Sequence, residues 1–342
     1  MAYTTDLNAE LVSKQASKNT KMLFEYLKSI YGKKHLAGQQ YLQSEEVEDL
    51  VYYHLTGKLP AVRGYDFMGV SSCKKTDDQV DRAIKWATQC GGIVTMCWHW
   101  YAPNDMNDYS KGSSFYYKTT SYNHKTCFDL CKGVTEGTAE YEFIIREIDM
   151  VSAELKRMAQ LDIPVLWRPL HEANGNWFWW GNHDEQHREA YKKLWYMIFD
   201  RMENYHKLTN LIWVWNGQDK DWYPGDEYVD IIGEDIYPGE HVYTSQISKY
   251  LNAATNYSTG HKLVYMTENG CVFDPELAKR DGAMWGMWCT WQGEFVVKSM
   301  SIITLDETYT EEEMLKKAYN DEDVITLEDL PDLKTYPIRE GF

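Results

Sequence analysis

Along this chain, short runs of apolar, β-branched and aromatic residues alternate with longer stretches whose apolar positions recur every three or four residues. Eight runs have strand character, each bounded by Gly, Pro, Asn or Asp: His35–Gln40, Pro60–Phe67, Gly92–Trp100, Ile163–Glu172, Leu211–Gly217, Val229–Tyr237, Lys262–Asn269 and Ala283–Trp291. Several are apolar at consecutive positions, the pattern of parallel strands covered on both faces. Amphipathic helical stretches span Asp77–Gln89, Glu140–Leu161 and Asp184–Leu208. Weaker helical patterning covers Tyr243–Thr255 and Pro275–Lys279, and Gln218–Glu227 reads as a loop. Strands alternating with helices, without internal repeat or linker, predict a closed (β/α)₈ TIM barrel. It is expected to be a single domain over 1–342, with its strand core at 35–292 and a C-terminal helix and tail at 309–342. A doubly wound sheet would carry a Gly-rich phosphate loop after the first strand, and the sequence has none there.

Two segments fall outside the alternation. Tyr101–Thr138 is crowded with Tyr, Ser, Asn and Lys and is too long for an ordinary connection. It follows a strand's C-terminal end, the end at which barrels build their sites, so it is expected to wall a cleft. The acidic stretch Glu311–Glu328 is expected to supply a last helix and a solvated terminal segment.

Composition narrows the function classes. Aromatic residues make up 15% of the chain, with 14 Trp and 26 Tyr, more flat ring than a core needs and suited to stacking on ring-shaped ligands. A formal net charge of −17 repels nucleic acid and anionic lipid. No stretch approaches the roughly 18 apolar residues of a membrane span, and the opening MAYTTDLNAE has none of the marks of a signal peptide. The seven Cys show no metal-ligand spacing. Cys97, Cys271 and Cys289 read as buried thiols in strands, while Cys127 and Cys131 have the spacing for a local disulfide.

Chemistry in a barrel belongs at the C-terminal ends of its strands, and several of those ends are polar. They are Arg63-Gly-Tyr65-Asp66, Trp98-His99-Trp100, Arg168-Pro-Leu-His171-Glu172-Ala-Asn174-Gly, Glu234-Asp235-Ile-Tyr237, Thr267-Glu268-Asn269-Gly and Trp288-Cys-Thr-Trp291-Gln292. The ends of the fourth and seventh strands, at Glu172 and Glu268, each offer a Glu after an apolar strand, and those ends face each other across a barrel's mouth. Two carboxyls about 5–5.5 Å apart are what retaining glycoside hydrolysis needs, one protonated to donate and one ionised to attack. The bland alternative is that each Glu makes a structural ion pair, for instance with Arg63 or Arg168. Other signals are weaker. His171-Glu172 does not continue to H-E-x-x-H, because residue 175 is Gly. His183 and His187 could approach a metal, but Asn182 capping a helix with both histidines solvated is the simpler expectation. No serine sits in a G-x-S-x-G elbow.

With these residues in view, the sequence resembles glycoside hydrolase family 26. The resemblance is carried by R-P-L-H-E-x-N-G-N-W-F-W-W-G at Arg168–Gly181, by Met266-Thr-Glu-Asn-Gly, by Trp98-His99-Trp100 with Pro103, and by Asp235-Ile-Tyr-Pro238. It implies a retaining endo-β-1,4-mannanase with Glu172 as acid/base and Glu268 as nucleophile. It further implies that Tyr237 bonds the nucleophile, that Asp235 orients it or meets substrate, and that His99, His171, Trp98, Trp177, Asn174 and Trp291 bind sugar, with Trp291 as a stacking floor. Glu172 would need its pKa raised by burial and by the nearby Glu268. No cofactor and no metal are expected. The expected partner is a polysaccharide, β-mannan, met outside the cell by a monomer, with no nucleic acid and no membrane. Within the same fold and mechanism, exo-mannobiohydrolase, β-1,3-xylanase and mixed-linkage β-glucanase activities stay open, as does a non-catalytic carbohydrate-binding barrel.

Overall fold

The computed structural model describes residues 10–41, 46–75, 78–118, 125–181, 184–258, 262–299 and 302–338. Seven parallel strands form one sheet in chain order: β1 (Gly38–Gln40), β2 (Val62–Asp66), β3 (Ile93–Cys97), β4 (Val165–Arg168), β5 (Leu211–Trp215), β6 (Ile231–Ile236) and β7 (Leu263–Asn269). Every residue of these strands is buried, as the continuous apolar runs foretold.

The predicted eighth strand, Ala283–Trp291, closes the barrel but is not a regular strand. It meets β7 and the first strand region through isolated bridges, Leu36↔Met287, Gln39↔Thr290 and Asn269↔Thr290. Its backbone is nevertheless bonded on both sides. Trp288 and Thr290 donate to Leu36 and Gly38, while Met266 and Asn269 donate to Met287 and Cys289. Partners three apart on β7 meet positions only two apart on the segment, so the register slips and no continuous ladder forms. The fold is a (β/α)₈ barrel.

The first predicted run is also divided. His35–Leu36 pairs in parallel with Val324–Ile325, and only Gly38–Gln40 joins the barrel sheet. This corrects the expectation of a solvated tail. After the helix Glu312–Asn320 the chain returns, burying Val324, Ile325 and Thr326, because V-I-T is an apolar patch within an acidic stretch.

The helix Ala139–Gln160 matches its pattern closely. Thr138 caps it by accepting from Tyr141 N–H at 3.1 Å, and Phe143, Ile144, Ile148, Val151, Leu155 and Met158 form its buried stripe. The stretch predicted at 77–89 is helical over Gln79–Lys85 and continues as a wider turn to Cys90; Asp77 lies outside the described residues. Glu185–Asp200 is capped by Asp184, whose carboxylate accepts from the N–H of His187 at 2.8 Å and also meets its ring. The expected cap, Asn182, and the other histidine, His183, lie outside the described residues.

Among the described residues, two helices of more than two turns were not anticipated, Lys18–Ile30 and Glu48–Thr56, nor was the single turn Leu130–Gly133. The first is capped by Ser17 and packs Leu23, Phe24 and Leu27 into a cluster with Val62, Ile93, Leu166, Ile212 and Leu263. It thereby covers the packed interior at the end of the barrel away from the strand termini. Cys127 and Cys131 are free thiols, so the local disulfide is not formed, and Cys97, Cys271 and Cys289 are buried. No helix among the described residues is long and apolar enough to cross a membrane.

Candidate active site

The polar strand ends converge on one mouth. The register of β6 and β7 decides how. Glu234 pairs with Met266, but a shift then sets Asp235 opposite Glu268 and Ile236 opposite Asn269. The slip turns Asp235 and Glu268 to the same side. Thr267 donates to Asp235 Oδ1 at 2.7 Å, and Asp235 N–H donates to Gln218 Oε1 at 2.6 Å. Glu234, one residue earlier, points the other way and accepts from the Tyr257 hydroxyl at 2.7 Å.

Arg168 ends β4 beneath this pair. Its fully buried guanidinium donates to Asn216 Oδ1 at 2.6 Å, to Asp235 Oδ2 at 2.9 Å and to Oε1 of Glu268. A planar cation with several donors can bridge three acceptors at once, which a lysine could not. The other oxygen of Glu268 accepts from the Tyr237 hydroxyl at 2.8 Å. One of the two ion pairs that sequence offered as the bland alternative, Arg168 with Glu268, is therefore real and lies within the site. Arg63 instead pairs with Glu46 and Asp49.

Strand β4 stops at Arg168, four residues short of its predicted end, and Glu172 stands on the loop that follows. Leu170, Glu172 and Asn176 all hold left-handed backbone, at φ 54°, 53° and 58°. A loop with three non-glycine residues in this region is held by its contacts. Glu172 N–H donates to Asn216 carbonyl at 2.7 Å, and Asn174 N–H to Gly217 carbonyl at 3.2 Å. The indole of Trp177 folds back over residue 175 and donates to Glu172 Oε2 at 2.9 Å. A side chain on residue 175 would lie 2.1 Å from that indole, so a glycine there is a steric requirement of the hydrogen bond.

One oxygen each from Glu172, Asp235 and Glu268 lies within 4.8 Å of the others. Burial pushes the Glu172 carboxyl well above the usual carboxylate range, and the charges of Asp235 and Glu268 push it further; Arg168 and Trp177 act against this. Asp235 is raised to about 7, chiefly by burial, although Arg168 favours its charge. Two acids share one guanidinium beside a third whose burial favours its neutral form, so a proton donor and a paired carboxylate face each other across a short gap.

A second buried line approaches the same centre. Asp66 at the end of β2 accepts from His99 N–H at 2.9 Å and holds the His99 ring at Nδ1. Burial disfavours the charge of both, but their mutual attraction prevails, so Asp66 is lowered and His99 raised. His99 Nε2 lies 3.2 Å from His171 Nε2. Burial, with His99 beside it, holds His171 well below the usual imidazole range. Trp291, partly exposed, sets its ring 5.8 Å from that of His99.

Trp98 is placed differently from the sugar-binding expectation. It is buried, stacked on Trp100 at 3.8 Å and 12° and near Trp167, where it packs the protein rather than meeting the cleft. Asn174 lies at the rim in loose contact with Gln218, at 3.4 and 3.5 Å. Of the long wall segment, Ala102–Pro103 pairs with Ser113–Ser114, and residues 119–124 lie outside the described residues. Tyr117 N–H donates to Trp177 carbonyl at 2.8 Å, so the wall does abut the acid loop.

Among the described residues, two donor sets have the spacing to approach a cation, the three carboxylates and Asp66 with Cys97 and His99. In the first, Asp235 and Glu268 already pair with Arg168, and in the second Asp66 pairs with His99. Sequence reading missed Asn216 and Gln218, which tie the β5 end to both neighbouring ends. The available signal was Asn-Gly-Gln directly after an entirely apolar strand.

The model of the glycosyl hydrolase family 26 matches residues 12–324. The chain belongs to that family. It is 37% identical over 338 residues to mannan endo-1,4-beta-mannosidase A of Piromyces sp, covering 96% of this chain and 52% of that protein. A mannan endo-1,4-beta-mannosidase of Thermothelomyces thermophilus is 34% identical over 332 residues, covering 95% and 64%. The chain thus spans between about half and two thirds of the length of these curated relatives. Among solved structures of the family, the Podospora anserina GH26-CBM35 beta-(1,4)-mannanase superposes with a TM-score of 0.82 at 33% identity, covering 97% of this chain and 71% of that one. A beta-mannanase from a symbiotic protist of the termite Reticulitermes speratus, complexed with gluco-manno-oligosaccharide, gives 0.83 at 31%, covering 96% and 100%.

Proposed function

We propose that this chain is a retaining endo-β-1,4-mannanase, with Glu172 as acid/base and Glu268 as nucleophile. The observation that carries the mechanism is the unequal treatment of two carboxyls whose oxygens approach within 4.8 Å. Glu172 is desolvated and keeps its proton, while Glu268 is held by Arg168 and Tyr237. This fits the short spacing of retaining enzymes, about 5–5.5 Å between carboxyl groups, better than the roughly 6.5–9.5 Å of inverting ones.

In the first step Glu172 gives its proton to the glycosidic oxygen as a Glu268 oxygen attacks the anomeric carbon, forming a glycosyl ester. In the second, Glu172 takes a proton from water as that water attacks the same carbon and releases Glu268. Arg168 and Tyr237 aim Glu268 and receive it again as a carboxylate. His99 edges the floor beside Trp291, where it meets the sugar held at the cleavage point, and Asp235 aligns Arg168. His171, expected from sequence to bind sugar, is fully buried and backs the His99 ring instead.

The substrate is proposed from relatives that match nearly all of this chain at 34–37% identity and are named as mannan endo-1,4-beta-mannosidases. A polymer of that size is met outside the cell, so an extracellular location goes with this reading. All the residues invoked come from one chain, and the enzyme is proposed to act as a monomer without cofactor.

Hydrolysis of a chromogenic mannan, run beside β-1,3-xylan and lichenan, tests the substrate. Release of mannobiose alone from mannohexaose in the first minutes would replace the endo mode by an exo one. Glu268→Ala is expected to lose at least about a thousandfold in kcat with an unchanged fold by circular dichroism. Near-normal turnover would remove the nucleophile assignment.

A further inference from the structure

Strand geometry gathers three unlike donors that the order of residues along the chain keeps apart. Cys97, the last residue of β3, is the register partner of Asp66, the last residue of β2. His99 lies two residues past Cys97, and the period-two alternation of an extended chain returns it to the same face. One donor atom from each lies within 4.8 Å of the others, and all three residues are buried. A carboxylate, a thiol and an imidazole meeting in this way are the donor types that hold zinc. Spacing along the sequence shows no such set, because one ligand comes from the neighbouring strand.

Each donor is held from behind. Asp66 Oδ1 accepts from the N–H of Met68 and of His99, both at 2.9 Å, which fixes the carboxylate with Oδ2 toward the His99 ring. Gln40 Nε2 donates toward Cys97 Sγ at 3.6 Å. His99 Nε2 lies 3.2 Å from His171 Nε2, so Nδ1 is the ring nitrogen that faces Asp66. Outer partners of this kind orient the ligands of a metal site. Ionised Asp66 and Cys97 together carry the two negative charges that a divalent ion neutralises, so the loaded site buries no net charge. The ion displaces the Cys97 thiol proton and the His99 Nδ1 proton, both to solvent, as a coordinating thiol is deprotonated by its metal.

We propose that Asp66, Cys97 and His99 bind a divalent cation of the zinc and cadmium type, and that its binding inhibits hydrolysis. Magnesium and calcium take oxygen ligands and do not suit a thiolate beside an imidazole. Entry is from the mouth, where the His99 ring lies 5.8 Å from that of partly exposed Trp291. Asp66 and the His99 ring are in direct hydrogen-bond contact, so an ion bonded to both at about 2.0–2.2 Å pushes the ring away from Asp66. That displaces the residue that edges the sugar floor. Metal binding stands apart from the glycosidase reading, and the inhibition rests on it.

The test titrates chelator-treated wild type, Cys97→Ala and Cys289→Ala with Cd²⁺ and with Zn²⁺. Cys90 and Cys127 are exposed thiols that also meet cadmium, so the difference between variants carries the result. Wild type and Cys289→Ala are expected to show one more equivalent of sulfur-to-cadmium ultraviolet absorption than Cys97→Ala. Zn²⁺ affinity is expected to fall in Cys97→Ala by at least the roughly 10- to 100-fold that loss of an outer partner costs. Saturating Zn²⁺ is expected to lower kcat/KM on mannohexaose at least about tenfold in wild type, and far less in Cys97→Ala, each against its own metal-free rate. Matching titrations of wild type and Cys97→Ala overturn the site. Should Cys97→Ala not fold, a zinc-soaked crystal of the wild type decides. An anomalous peak among the three donors supports the site, whereas no peak there, or one only at the three carboxylates, overturns it. Binding without loss of hydrolysis overturns the inhibition. A wild type that cleaves no mannan sinks the glycosidase reading instead, and the titrations still decide the site.

Discussion

Tyr237 donates to Oε2 of Glu268 at 2.8 Å while Arg168 occupies Oε1, so both oxygens of the proposed nucleophile are engaged before any substrate arrives. An attacking oxygen must leave one of these donors as the glycosyl ester forms and regain it when the ester breaks. Tyr237, on the open side, is the partner able to yield, whereas Arg168 is buried and anchored by Asp235 and Asn216. Tyr237→Phe is therefore expected to keep the fold and lower kcat by about 10- to 100-fold, the worth of one hydrogen bond to a charged group. Steady-state kinetics on manno-oligosaccharides check this. A kcat within about twofold of wild type would remove Tyr237 from the mechanism.

The proton on Glu172 gives the second prediction. Activity requires Glu172 protonated, so kcat/KM falls as pH rises through its pKa, and anything that raises that pKa extends activity to higher pH. Burial raises it most, then the charge of Asp235. Burial pushes Asp235 itself up to about 7, so its charge grows as pH rises. Asp235→Asn is expected to move the alkaline limb of the pH profile to lower pH while also reducing kcat. An alkaline limb at its wild-type position would show that Asp235 does not act on Glu172 through charge. Glu172 and Asp235 act on each other's charge, so the limb reports the pair.

The Asp66–His99 pair predicts a stability window. Asp66 is lowered in the folded protein, so its contribution is full above the unfolded value of about 3.9 and is lost as pH falls through its folded pKa. His99 is raised, so its contribution is full below the unfolded value of about 6.5 and is lost as pH rises through its folded pKa. Both are complete only between about pH 4 and pH 6.5. Asp66→Asn is expected to cost about 3 kcal/mol, the scale for removing one partner of a buried pair. The gap from wild type should be widest in that window. Thermal midpoints across pH test it, and a gap independent of pH would refute the account.

How much of this could be read from the sequence depended on the distance over which each feature is encoded. Strand runs such as Leu211–Trp215 and the stripe of Ala139–Gln160 are local periodicities and were legible within a residue or two. The Glu172 loop was legible as a motif, since Gly175 must be bare for Trp177 to reach Glu172. What was not legible depends on register. The slip that sets Asp235 opposite Glu268 and the broken ladder at Ala283–Trp291 arise only when strands far apart in sequence are paired. Trp98 shows the converse. A Trp-His-Trp string does not say which ring faces the cleft, and alternation sends His99 to the site and Trp98 and Trp100 into the core.

Gln218 supplies the last prediction. It lies on what sequence reads as loop, yet its backbone is left-handed at φ 60° and its Oε1 accepts the N–H of Asp235 at 2.6 Å. Its carbonyl accepts from Tyr257 at 2.9 Å, and Tyr257 is fixed in turn by buried Glu234. Asn216, two residues earlier, holds both Glu172 N–H and Arg168. The β5 end therefore couples the acid loop to Asp235, and Gln218 acts as a positioning residue without touching the reacting atoms. Gln218→Ala leaves a partly buried N–H unpaired, a cost of about 1–3 kcal/mol. Because Asp235 aligns Arg168 beneath Glu268, the loss should fall on kcat more than on KM, and Gln218→Glu, which keeps an acceptor at the same reach, should recover part of it. Equal effects of the alanine and glutamate variants, or a change confined to KM, would reduce Gln218 to a structural loop residue.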